Sequence, residues 1–171
     1  TPVGDAGMNA LAKGCIHLEV LKLPSNPVCQ GGARIPIPNL HQVASFTNLK
    51  ELHMQSVPKD VFLAIASGCL NLSDWTFNFR GCDSAEGYDL PGVWLTPGLQ
   101  LPSLRRLKMS FGHLDFDTFD DTHIAAIAEA CPELTVLLVD LGWTNEANPV
   151  TFSGASFPKL TTMTVPSSCK F

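Results

Sequence analysis

The sequence predicts an α/β solenoid, with a curved parallel sheet on its concave side and helices and irregular loops on its convex side. Three observations lead there. A twelve-residue helical block recurs three times without gaps. A short apolar frame, with spacing three then two, recurs six times. An apolar residue also stands three positions before every copy of that frame. One strand-turn-helix unit cannot bury its apolar face alone, so such units stack and share a continuous core.

The helical blocks span 4–15, 58–69 and 120–131. Met8, Phe62 and Ile124 share one column, and Leu11, Ile65 and Ile127 the next. Ala12, Ala66 and Ala128 follow, and Cys15, Cys69 and Cys131 close the blocks. Apolar spacing of three, one and three residues marks a helix with one buried stripe. Asp5, Asp60 and Asp120 or Asp121 stand where capping residues and first-turn acids belong, and Gly14 and Gly68 suit the helix exits.

The strand frame reads Leu18-Leu21-Leu23, Leu49-Leu52-Met54, Leu72-Trp75-Phe77, Leu104-Leu107-Met109, Leu134-Leu137-Val139 and Leu160-Met163-Val165. The preceding column is Cys15, Phe46, Cys69, Leu101, Cys131 and Phe157. Strands are expected near 20–24, 51–55, 74–78, 106–110, 136–140 and 162–166. Residues 1–171 thus read as one domain of about six units, part of a longer array. Well-formed helices are expected only ahead of units one, three and five. Loops rich in Gly, Pro and Asn precede the others, with a short turn near Asn39–Phe46.

At the level of repeat class, the run from Asp5 through Cys15, Leu18 and Leu21 to Leu23 resembles the cysteine-containing leucine-rich repeats of F-box/LRR proteins. The resemblance implies a leucine-rich-repeat solenoid and a protein-protein interaction scaffold. Its most specific form is the substrate-recognition portion of an F-box-type ubiquitin ligase receptor. The chain departs from that pattern in its long connections and in even units that lack the cysteine. Only Asn26 fills the ladder position after a strand, where Arg80, Gly112, Gly142 and Ser168 otherwise stand. No F-box segment is visible in these residues.

Composition narrows the function. The 171 residues carry 11 Lys+Arg against 16 Asp+Glu, a formal charge of -5, and 45% are hydrophobic. That apolar share excludes intrinsic disorder, and the acidic balance argues against nucleic acid as a partner. Charged residues are only 16%, against about 25% in ordinary domains. This scarcity fits a surface that is covered by further repeats or a large complex at open stacking ends. No run approaches the roughly 20 apolar residues of a membrane span. The six cysteines form no C-x-x-C pair, so a zinc site is not expected and a reduced compartment, cytoplasmic or nuclear, is.

Alternation along the strands selects the outward residues, of which Glu51, His53, Asp74, Thr76, Arg106, Lys108, Val136 and Leu138 are the candidate partner-binding set. If the frame residues point inward, Val20 and Lys22 point to the concave face, with Glu51 and His53, Asp74 and Thr76, Arg106 and Lys108, Val136 and Leu138, and Thr162 and Thr164. Charges beside exposed aliphatics suit a protein-binding surface. A second candidate is the insertion Asn78–Gln100, where Tyr88 and Trp94 are the expected anchors, unless Val93, Trp94 and Leu95 fold back over the core. The acidic run with His113, Asp115, Asp117, Asp120, Asp121 and His123 lacks the glycine and glutamate of a calcium loop. No nucleophile elbow or phosphate loop is present. No catalytic residue, metal site or cofactor is therefore assigned. An architectural subunit of a larger assembly is the alternative function, and a metal-dependent activity a distant one.

Overall fold

A computed structural model of the chain describes residues 5–23, 40–55, 59–79, 90–111, 121–140 and 157–164. Its organising element is a turn repeated six times. The N–H of each anchor leucine (Leu18, Leu49, Leu72, Leu104, Leu134 and Leu160) donates to the carbonyl three residues earlier, at 3.0–3.4 Å. Those carbonyls belong to Cys15, Phe46, Cys69, Leu101, Cys131 and Phe157. The apolar column three residues ahead of each frame is thus the first residue of a turn whose side chain fills the core.

Each turn delivers the chain into a strand. The strands are β1 (Val20–Lys22), β2 (Glu51–Gln55), β3 (Asp74–Phe79), β4 (Arg106–Phe111), β5 (Val136–Asp140) and β6 (Thr162–Thr164). They form one all-parallel sheet in strict chain order. All six lie where expected, with β1 ending at Lys22 and positions 165–166 of the expected sixth strand outside the described residues. Entry into every pair is the same. The carbonyl just before one strand accepts two successive N–H groups from the next unit, as Glu19 does from Lys50 and Glu51. Lys50, Ser73, Arg105 and Thr135 repeat this at the following four junctions.

Three ten-residue helices precede units one, three and five: α1 (Asp5–Gly14), α2 (Lys59–Gly68) and α4 (Asp121–Ala130). A 3₁₀ helix, Leu40–Ser45, stands ahead of unit two. Ahead of unit four, α3 (Leu90–Trp94) adds one helical turn within the insertion that was expected to lack secondary structure. Val93 and Trp94 there are buried against the core, and that burial stabilises a segment with no helical periodicity of its own.

The frame residues make the core. Leu21, Leu52, Trp75, Leu107, Leu137 and Met163 sit side by side across the sheet, with Met54, Phe77, Met109 and Val139 as a second row. Apart from partly buried Met163, these are buried against Met8, Phe62, Ile65, Ile124 and Ile127 of the helices. Phe62 is the hub. It stacks on Trp75 at 4.5 Å between centroids and meets Trp94 and Phe77 edge-on at 5.1 and 6.0 Å. Offset and edge-on aromatic pairs add to the area term.

Gly14 and Gly68 close α1 and α2 at the expected helix exits, without a positive φ. Among the described residues the one glycine with positive φ is Gly98, at 77°. Gly68 is required by close approach instead. A Cβ there would lie 2.1 Å from the Ala44 carbonyl oxygen of the 3₁₀ helix. Gly14 has nothing within 4 Å. His41 of the 3₁₀ helix also reaches Asp60 in the first turn of α2, at 2.9 Å.

Candidate protein-binding face

The helices and the 3₁₀ helix pack against one face of the sheet. The other carries the outward side chains in level rows, the first two of which cross all six strands and a further one of which holds Ser110 and Asp140. Register aligns Val20, Glu51, Asp74, Arg106, Val136 and Thr162 in the first, and Lys22, His53, Thr76, Lys108, Leu138 and Thr164 in the second. Period-two alternation demands this once the frame residues are buried. All eight residues selected from the sequence on this face (Glu51, His53, Asp74, Thr76, Arg106, Lys108, Val136 and Leu138) lie on it together. Arg106 and Lys108 are exposed, and the other six are half-buried.

The acidic end of the face is internally matched. Glu51 Oε1 accepts from Lys22 Nζ at 2.7 Å and lies 2.8 Å from His53 Nε2. The Lys22 hydrogen bond, helped by His53 and opposed by desolvation, holds the Glu51 carboxyl below its ordinary range. Asp74 differs. Its Oδ2 faces Arg106 Nε at 3.4 Å, while its Oδ1 is buried without a hydrogen-bond partner. Burial therefore raises the Asp74 carboxyl, with the Arg106 charge pulling the other way. Among the described residues Lys108 makes no ion pair. The face thus grades from neutralised charge at β1–β3, through cations on β4, to two aliphatics followed by Asp140 on β5.

The second candidate separates. Trp94 lies inside the core, 2% exposed, so it is not offered to a partner; its ring completes the cluster around Phe62. The alternative reading of that segment, folding back over the core, describes Val93 and Trp94. Leu95 beside them stays exposed. Tyr88 lies outside the described residues, as do His113, Asp115, Asp117 and Asp120 of the acidic run. His123 is buried in α4. Among the described residues, no group of three His, Cys, Asp or Glu side chains stands close enough to hold a metal. No helix among them is long and apolar enough to cross a membrane.

The three helix-end cysteines are free thiols, with Cys69 and Cys131 buried and Cys15 partly so. Burial pushes the Cys69 and Cys131 thiols up to about 12. That removes the thiolate a nucleophile needs. Cys69 instead donates to the Val43 carbonyl at 3.3 Å, tying α2 to the 3₁₀ helix.

Sequence reasoning missed a ladder along the edge where the strands begin. Asn48 Nδ2 donates to the Ile16 carbonyl at 3.0 Å, and Asn71 Nδ2 to that of Thr47 at 2.9 Å. Ser73, Thr135 and Thr161 hydroxyls each donate 3.0 Å to the doubly used carbonyl of the preceding unit. Ion pairs Lys50–Glu19 and Lys159–Glu133 extend it. The signal was present: Asn immediately before the anchor leucine, Ser or Thr immediately after. An open groove of about 690 Å³ runs along this edge, lined by Lys50, Asn71, Ser73, Pro102, Arg105 and Glu133 among others. No family model matches the chain, and no curated protein matches it in sequence.

Proposed function

We propose that the chain is a stretch of leucine-rich-repeat solenoid that binds another protein through the face of its sheet opposite the helices. The observation that carries this reading is the sheet's asymmetry. All-parallel sheets ordinarily bury both faces under helices. Among the described residues one face packs the core, while the other presents half-buried acids and aliphatics and exposed cations in level rows. The sixfold turn and the doubled carbonyl at each junction support a stack of equivalent units. Rigid presentation of side chains from such a stack is the mechanism, and no catalytic step is assigned. The resemblance to F-box/LRR arrays makes substrate recognition for ubiquitin transfer the most specific form of the proposal. That role belongs in the cytoplasm or nucleus, where thiols stay reduced.

The test is affinity purification with the wild-type chain and with the double variant Arg106→Glu/Lys108→Glu, its fold checked by circular dichroism. Loss of the partner supports the face, and undiminished recovery from a folded variant removes it. Absence of any ligase adaptor from the full-length protein's complexes removes the ubiquitin form alone. A second reading, an architectural subunit, is favoured by Ile16 and Leu70. These occupy equivalent turn positions and are 60% and 54% exposed. Recovery of the protein only within one complex of fixed stoichiometry would support it.

A further inference from the structure

The face proposed above narrows to one kind of occupant at the seam between β4 and β5. Arg106 lies level with Val136, and Lys108 level with Leu138. Neighbouring strands stand about 4.8 Å apart, and alternate residues of a parallel strand about 6.6 Å apart. The seam is therefore a two-by-two array, cations on one side and aliphatics on the other. An extended peptide lying along it has the same rise per residue, and its side chains point alternately left and right.

The charge pattern selects the sign. The protein carries a net charge of -5, and beside the seam stand the cations Arg106 and Lys108; the outward carboxylates are Glu51 and Asp74, with Asp140 one outward step beyond Leu138 on β5, where it accepts from the Ser110 hydroxyl. Glu51 and Asp74 already face a cation. Arg106 meets Asp74 through a single 3.4 Å contact, which leaves most of its five N–H donors for another acceptor. Its side chain is 55% exposed. Val136 and Leu138 are half-buried, shielded only partly between flanking strands.

We infer that this seam binds an extended segment of a partner protein in which acidic and aliphatic residues alternate, the acids meeting Arg106 and Lys108 and the aliphatics Val136 and Leu138. The inference rests on the sheet-face reading and adds the partner's chemistry to it. Charge steers the encounter and sets the register, while the aliphatic side chains supply the buried contact.

The experiment uses the full 171-residue chain and an end-blocked fluorescent peptide that alternates Glu with Val and Leu, followed by fluorescence anisotropy. Two comparison peptides carry Lys in place of Glu, or the same residues with all Glu gathered in one half. The alternating acidic peptide is expected to bind at least ten-fold more tightly than either. Arg106→Glu/Lys108→Glu should lose it at least ten-fold and gain the Lys peptide. Arg105→Glu/Lys159→Glu makes the same charge change away from the seam and should retain it. Equal binding of the gathered peptide, or equal loss in both double variants, overturns the inference in favour of unspecific attraction. No binding of the alternating peptide also overturns it. If Arg106→Glu/Lys108→Glu nevertheless abolishes partner recovery from cells, the face stands and only the occupant's chemistry falls. If partner recovery is unaffected as well, both fall together.

Discussion

Gly68→Ala is the sharpest probe of how the units are spaced. In an open helical position this change would stabilise, by up to about 1 kcal/mol, because alanine loses less entropy on ordering. At Gly68 the added Cβ would sit 2.1 Å from the Ala44 oxygen, 2.9 Å from its carbonyl carbon and 3.0 Å from its Cα. Cβ atoms essentially never approach closer than 3.0 Å, so the two segments must part by about 0.9 Å. The obstacle is backbone, which cannot rotate aside. The segment that must move carries buried Leu40 and Val43 and leads to buried Phe46. Overpacking of this kind costs about 1–3 kcal/mol. A 2.1 Å contact with backbone belongs in the upper part of that range, about 2–3 kcal/mol, so after a helix-propensity gain of about 1 kcal/mol a net loss of about 1–2 kcal/mol remains. For a chain of this size that lowers Tm by about 2–8 °C. Gly14 ends an equivalent helix with nothing within 4 Å, so Gly14→Ala should leave Tm unchanged or slightly raised. Thermal and urea unfolding of both variants provide the assay. A Gly68→Ala protein as stable as wild type would refute the close approach and the packing of α2 on the 3₁₀ helix with it.

Further tests address the core and the titrating groups. Phe62→Ala removes the ring that Trp75, Phe77 and Trp94 share and should cost about 3–5 kcal/mol in urea unfolding; a loss below about 1 kcal/mol would contradict the cluster. The Cys69 and Cys131 thiols, raised by burial from 9.0 to about 12, bind protons more tightly folded than unfolded. The thiols' contribution to stability is therefore constant below about pH 9 and falls as pH rises from there to about 12. Removing both thiols by Cys69→Ala/Cys131→Ala should flatten that alkaline decline in urea midpoints, whatever the variant's lower starting stability. Asp74 is raised chiefly by burial, so its charged form opposes folding at neutral pH and this penalty fades as pH falls through the folded value. Asp74→Asn should raise Tm at pH 7, with the gain shrinking on acidification; a pH-independent difference would assign the effect to geometry.

The ladder at the strand entrances shows how much the residues told in advance and where reading them stops. Leu49 and Leu72 identify themselves as anchors because burial demands an apolar side chain at one turn position. Asn48 and Asn71 beside them carry no such demand, since an exposed amide is tolerated almost anywhere. Their role emerges only when the Ile16 and Thr47 carbonyls, 32 and 24 residues away, come within 3.0 Å. The opposite failure occurs at Trp94. A lone aromatic in a glycine- and proline-rich stretch has no periodic context, so nothing local distinguishes an anchor for a partner from a plug for the core. The outward rows fall between these cases. Alternation identifies which residues share a face, yet it cannot pair Glu51 with Lys22 or leave Asp74 Oδ1 unpartnered.

By itself the sequence determined what repeats: six strands in register, three matched helices, an inward set of apolar residues and an outward set of polar and aliphatic ones. Those features follow from burial period and turn chemistry, which act within a few residues. The tertiary structure decided which exposed charges meet, why Gly68 has no side chain and that Trp94 faces inward. It also decided that Arg106 faces Asp74 while Lys108, among the described residues, makes no ion pair. Each depends on distances between units more than twenty residues apart, and only packing sets those.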